Sequence, residues 1–133
     1  MGQPQSRKRR GSSVPVRAIR GAIQIDRDDK DEVMRATAEL LSKMLHANEI
    51  DTDALISVMF TATADITSEF PALGARQLDL GDVPLMCAVE MSVAGSLPRV
   101  IRIMAHVESD TPRKYIQHTY LRGAAALRLD LAQ

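Results

Sequence analysis

The sequence predicts an α+β fold, and three observations carry that expectation. One long amphipathic stretch places its apolar residues at helical spacing, four short runs are rich in β-branched residues, and turn-forming residues separate them. With 133 residues, 45% of them hydrophobic and 26% charged, the chain has material for one core and lies far from disordered or collagen-like compositions.

The first fifteen residues (MGQPQSRKRRGSSVP) are rich in Gly, Ser, Pro and base and have too little apolar surface to offset the entropy of ordering them. They are expected to form a disordered basic tail, residues 1–15, ahead of one folded domain, residues 16–133. Val16 to Ile25 reads as a first strand, with Val16 and Ala18 on one face and Arg17 and Ile19 on the other. Asp28 and Asp29 then open a helix to about Ala47, with Glu32 three residues after Asp29 and Val33, Ala36, Leu40, Leu41, Met44 and Leu45 on one face. Ala54 to Thr63 reads as a buried strand, Asp65 to Pro71 as a loop, and Pro71 as the start of a short helix that carries Arg76. Two further strands, Val83 to Val89 and Val100 to Val107, flank a turn marked by Ala94, Gly95, Ser96 and Pro98. Asp110 and Thr111 are placed to cap a last helix that has Pro112 in its first turn, runs to about Arg122 and ends at Gly123. The expected order is β-α-β-α-β-β-α.

Lysine plus arginine (17) balances aspartate plus glutamate (17), yet Arg7, Lys8, Arg9 and Arg10 all lie in the tail and leave the folded part mildly acidic. A nucleic-acid-binding face is not expected, so each arginine in the domain needs a local reason. The single cysteine, Cys87, excludes an intrachain disulfide and offers no redox pair or zinc knuckle. No apolar run approaches a membrane span, and the basic start is not followed by the apolar stretch of a secretory signal, so a cytoplasmic protein is expected.

Arg20 interrupts the run IRGAI and Arg102 the run VIRIM. Taken singly, each is explained by alternation onto a solvated face, but two arginines inside β-rich runs with little polarity nearby look like anion ligands. Glu90 closes the strand MCAVE, where a carboxylate ordinarily marks the return of the chain to water. Cys87 reads first as a small buried hydrophobe, His46 as helix surface, and His106 and His118 as fillers or hydrogen-bonding groups without metal-ligand spacing. Tyr120 fits a helical core as well as a site. The chain has no Gly-rich phosphate loop, H-E-x-x-H, G-x-S-x-G or C-x-x-C.

The segments VRAIRGAIQIDRD, SVMFTATADITSEFPALGAR, VPLMCAVEM, PRVIRIMAHV and QHTYLRGAAALRLDL resemble, in order and from about Val16 onward, the monofunctional AroH-class (Bacillus-type) chorismate mutases. That resemblance implies a mixed β-sheet packed with helices and a homotrimer, a trimeric pseudo-barrel with its active sites in the clefts between subunits. It implies chorismate as substrate, prephenate as product, and neither cofactor nor metal. By position it assigns Arg20 to a substrate carboxylate, Arg102 to the ether oxygen, Cys87 and Glu90 to the ring hydroxyl, and Tyr120 to a carboxylate. Arg76 would stand at the mouth, with Phe70, Ala72 and Leu127 lining the pocket. Two positions depart from the family pattern: Leu73, where a lysine is common after F-P-A, and Met86, where a threonine often precedes the cysteine. The first removes a peripheral cation, which bears on substrate capture more than on the chemistry. The alternatives are a trimeric small-anion-binding module without catalysis and an imine deaminase of the trimeric Rid type, which the Cys87–Glu90 pair and the RLDL end fit less well.

Overall fold

Alternating β-branched residues from Val16 onward form a strand because one side of the run, Ile19 and Ile23, can be covered while the other stays open. The computed structural model describes residues 14–128. It contains strands β1 (Val16–Gln24), β2 (Leu55–Ala62), β3 (Leu85–Val89), β4 (Val100–Glu108) and β5 (Thr119–Leu121), with helices α1 (Lys30–Ala47) and α2 (Pro71–Ala75). The strands form one sheet in the order β3-β2-β4-β1-β5. β4 runs antiparallel to both β1 and β2, whereas β5 is parallel to β1 and β3 is parallel to β2. The mixed sheet is as expected.

Helix α1 starts where its cap dictates. The Asp29 carboxylate accepts the Glu32 N–H at 3.1 Å, and the Glu32 carboxylate turns back to the Asp26 N–H at 3.0 Å, which satisfies donors on both sides of the boundary. The helix lays Val33, Ala36, Leu40, Leu41 and Met44 on Ile19, Ile23, Phe60, Ile101, Ile103 and Val107, each at most 2% exposed. Burying that set supplies the main driving force, roughly 1.5–3 kcal/mol for each large side chain. Helix α2 lies so close to α1 that a Cβ on Gly74 would collide with the Met34 main chain. That contact fixes Phe70, at the N-cap of α2, and Arg76, at its C-cap.

The last predicted helix, residues 110–122, is not present. Its place is taken by a 3-10 turn at Arg113–Tyr115, strand β5 and a second 3-10 segment at Arg122–Leu127. Pro112 adopts an extended conformation (ψ 145) rather than that of a first helical turn. The Asn48 side chain then takes both main-chain groups of Gln117, its N–H at 2.8 Å and its carbonyl at 2.9 Å, and steers the chain along β1. A long-range side chain thus outcompetes a plausible cap. Gly123 instead lies inside the second 3-10 segment, against the end of the Gln24 side chain. Of the expected tail, residues 1–13 lie outside the described residues, and Pro15 is already tied to the sheet by accepting the Ser109 N–H at 3.0 Å.

Candidate active site

The face of the sheet turned away from α1 carries the polar residues that the sequence singled out. Register aligns Ala88, Thr61, Arg102, Ala22 and Tyr120 in one row across all five strands. The next row holds Met86, Met59, Met104 and Arg20. With strands about 4.8 Å apart, Tyr120 and Arg102 stand roughly 10 Å from each other, and Arg20 lies about 7 Å along β1 from the row they share. These spacings suit a ring-sized molecule that bears more than one anionic group.

Glu90 joins this face because its N–H, bonded to the Ala62 carbonyl at 2.9 Å, extends the β3 ladder by one rung. Its carboxylate meets Arg102 Nε at 3.4 Å and accepts the Thr61 hydroxyl on the same oxygen. Thr61 thus steadies the carboxylate that pairs with the inner nitrogen of the guanidinium, neither terminal nitrogen is paired with a carboxylate among the described residues, and half of the Arg102 side chain (48%) is exposed. Among the described residues no carboxylate forms an ion pair with Arg20 or Arg76. Tyr120 and Leu127 pack with Ala22, Val100, Ala124 and Leu97 at the other end of the row. The 3-10 segment that presents Leu127 is fastened to α1 by Arg122, which reaches Glu32 at 3.3 Å and Glu39 at 3.4 Å.

Four of the candidate residues lie elsewhere. Cys87 pairs with Phe60, so its side chain points to the α1 side, opposite to Glu90, and packs partly buried against the core. The two side chains of that expected pair therefore do not converge within one chain. The main chain of Cys87 is a different matter. Val58 N–H bonds Pro84 and Glu90 N–H bonds Ala62, and this alternation leaves the Cys87 N–H pointing off the free edge of β3. Cys87 also lines a cleft of about 480 Å³ with Phe70, Thr67, Ser68 and Val89. Phe70 is 70% exposed, Ala72 packs on the core, and Arg76 is exposed at the end of α2. The candidate residues thus fall into two groups on one chain: Arg20, Arg102, Glu90, Tyr120 and Leu127 on the open sheet face, and Phe70, Ala72, Arg76 and Cys87 around the β3 edge and α2.

Of the two departures from the family pattern, Leu73 is exposed on α2 and Met86 is 57% exposed in the row beside Ala88. Thr61 was not singled out from the sequence. The signal was available in the alternation of β2, where Phe60 faces the core and Thr61 must face Arg102. The loop leading to Phe70 is held by Asp28, which accepts the N–H groups of Thr67 and Ser68 at 3.0 Å each and the Thr67 hydroxyl at 2.9 Å. Donors from Ser68 and Thr67 lower the Asp28 pKa from 3.8 to about 2, against the opposing effect of burial.

The sequence matches the family Chorismate mutase type I over residues 16–131. It is 51% identical over 117 residues to Chorismate mutase AroH of Thermus thermophilus, covering 87% of this chain and 96% of that protein. Identity to Chorismate mutase AroH of Bacillus subtilis is 36% over 118 residues, covering 88% and 93% respectively. The fold is similar to that of a solved chorismate mutase from Clostridium thermocellum, with a TM-score of 0.81 and 41% identity over 82% of this chain and 97% of that one. Neither the anion-binding module nor the imine deaminase finds support in these likenesses. Resemblance, fold and the Arg102–Glu90 geometry agree: this chain belongs to the chorismate mutase type I family.

Proposed function

We propose that the protein converts chorismate to prephenate, a step toward phenylalanine and tyrosine, and that it works as a homotrimer. The observation that carries the chemistry is the row Thr61–Arg102–Ala22–Tyr120 with Glu90 against Arg102. The rearrangement is an internal [3,3] shift in which a C–O bond breaks as a C–C bond forms, and it needs no nucleophile, metal or cofactor. The protein's task is to select a compact conformer and to stabilise the charge that develops in it.

In this reading Arg20 and Tyr120 grip one carboxylate, with Arg76 at the mouth. The ether oxygen gains negative charge in the transition state, and the terminal nitrogens of Arg102 lie ready to meet it. Because Glu90 and Thr61 fix the guanidinium in advance, little reorganisation is needed as the charge appears. The second Glu90 oxygen accepts the ring hydroxyl, and the outward Cys87 N–H is a second candidate contact for the same group. Phe70, Ala72 and Leu127 close the pocket on its apolar side.

Two facts support the trimer. The face that bears Arg102 also exposes Met59 and Met86, large apolar side chains that water covers at a cost, and the candidate residues fall into two half-sites that a neighbouring copy can join. Met59→Glu is expected to leave a species near 14.6 kDa in place of one near three times that mass, as read by light scattering. A wild type that runs as a monomer contradicts the trimer. Cytoplasmic placement belongs to the same reading, and among the described residues no helix is long and apolar enough to cross a membrane.

The deciding experiment follows the loss of chorismate absorbance with purified protein in a chelator, without added cofactor. Saturable formation of prephenate supports the reading. A folded protein that leaves chorismate untouched overturns it.

A further inference from the structure

Strand β5 is only three residues long, yet it presents Tyr120 and lies next to the segment of β1 that carries Arg20. So short a strand makes few ladder bonds, and its pairing with β1, Gly21 to Thr119 through Ile23 to Leu121, begins one position after Arg20. The Arg20 N–H therefore points toward β5 where main-chain partners are running out. It is met by a side chain: His118 Nδ1 accepts it at 3.0 Å and adds one rung to the ladder.

We propose that His118 is a positioning residue, whose neutral imidazole locks the β1–β5 register and so sets the distance between Arg20 and Tyr120. This rests on the reading of Arg20 and Tyr120 as carboxylate ligands. The rung exists only while Nδ1 is unprotonated, because an imidazolium has two N–H donors and no acceptor. The surroundings favour the neutral ring. The cleft beside it is lined by Arg17 and Arg20 from β1, His106 from β4 and Arg113 from the 3-10 turn, with no carboxylate among its lining residues. Partial desolvation beside the cleft first, and the Arg20 guanidinium second, push the His118 pKa below its ordinary 6.5. The sign follows from that depression: the rung is intact above the ordinary value and is lost as pH falls through the lower, folded value.

The test uses the full chain and two variants, His118→Asn, whose amide oxygen can accept without titrating, and His118→Leu, which cannot accept. Turnover is measured between about pH 5 and 8, the range in which histidine changes charge. In wild type the KM for chorismate is expected to rise several-fold toward the acid end while kcat changes little. His118→Asn is expected to keep a low KM without the acid rise, and His118→Leu to show a raised KM at every pH. The rung is also read apart from activity, by the 1H–15N shift of the Arg20 amide, which follows the His118 titration in wild type and is pH-independent in His118→Asn. A His118→Leu variant with wild-type KM, a His118→Asn variant that retains the acid rise, or an Arg20 amide indifferent to pH overturns the proposal. A wild type inactive toward chorismate overturns the mutase reading instead, while the amide shift still decides the role of His118.

Discussion

The two faces of the sheet are built from the same strands and behave as different materials. Toward α1, Ile19, Ile23, Val58, Phe60, Ile101, Ile103, Ala105 and Val107 are at most 2% exposed. On the other side the intervening positions hold Arg20, Met59, Thr61, Arg102 and Met104, which are exposed or half-buried. Alternation along a strand thus gives stability to one set of positions and chemistry to its immediate neighbours. Phe60 and Thr61, adjacent in sequence, are expected to fail in unrelated ways when changed.

That division can be broken at its strongest point by Phe60→Ala, which removes a fully buried ring from the covered face. A loss of about 3–5 kcal/mol in denaturant unfolding is expected. If turnover falls while unfolding is unchanged, the two faces are not separate. Arg102→Ala on the open face is expected to do the reverse, lowering kcat by about a hundredfold to a thousandfold with a nearly unchanged melting temperature. Lysine at this position is expected to restore little of the rate, because it lacks the planar fork that Glu90 and the substrate share. Thr61→Val retains the shape but removes the hydroxyl that holds Glu90, and a fall of about fivefold in kcat/KM, equivalent to about 1 kcal/mol, is expected from steady-state kinetics.

The smallest expected effect is at Asp28, away from both faces. Its pKa is lowered from 3.8 to about 2, so its contribution to stability is full above the upper value and is lost as pH falls through the lower one. Asp28→Asn is expected to flatten the acid limb of the unfolding curve and to lower stability at neutral pH only modestly, since the half-buried carboxylate is still partly screened by solvent. An unaltered acid limb removes Asp28 from the list of groups that hold the Phe70 loop.

Most of the covered face was legible in the sequence. Helix α1, the four long strands and the Pro71 helix follow from periodicity and caps, which act within a few residues. The segment 110–122 was misread because its fate depends on Asn48, about seventy positions away, whose amide holds Gln117 more effectively than Thr111 and Pro112 start a helix. Arg20, Glu90 and Arg102 stood out as charges in apolar runs, and family resemblance assigned them roles. Thr61 gave no such contrast, because a threonine in a strand is unremarkable until register sets it against Arg102. Cys87 shows the opposite limit: the residue was marked, but only the ladder reveals that its side chain and its main chain address different surroundings.

Of the described elements, strand β1 leaves the ribosome before the rest, and both of its neighbours in the sheet, β4 and β5, come late. Helix α1 can form early, but the sheet it covers cannot be completed until residue 121 has emerged, so β1 and β2 wait without the strand that joins them. Such long-range pairing slows folding and lengthens the time in which apolar strand edges stand open. A chain stopped short of Thr119 lacks the element that closes the outer edge of β1. Such truncated chains are therefore expected to be substrates for chaperones and proteases rather than partly working enzymes.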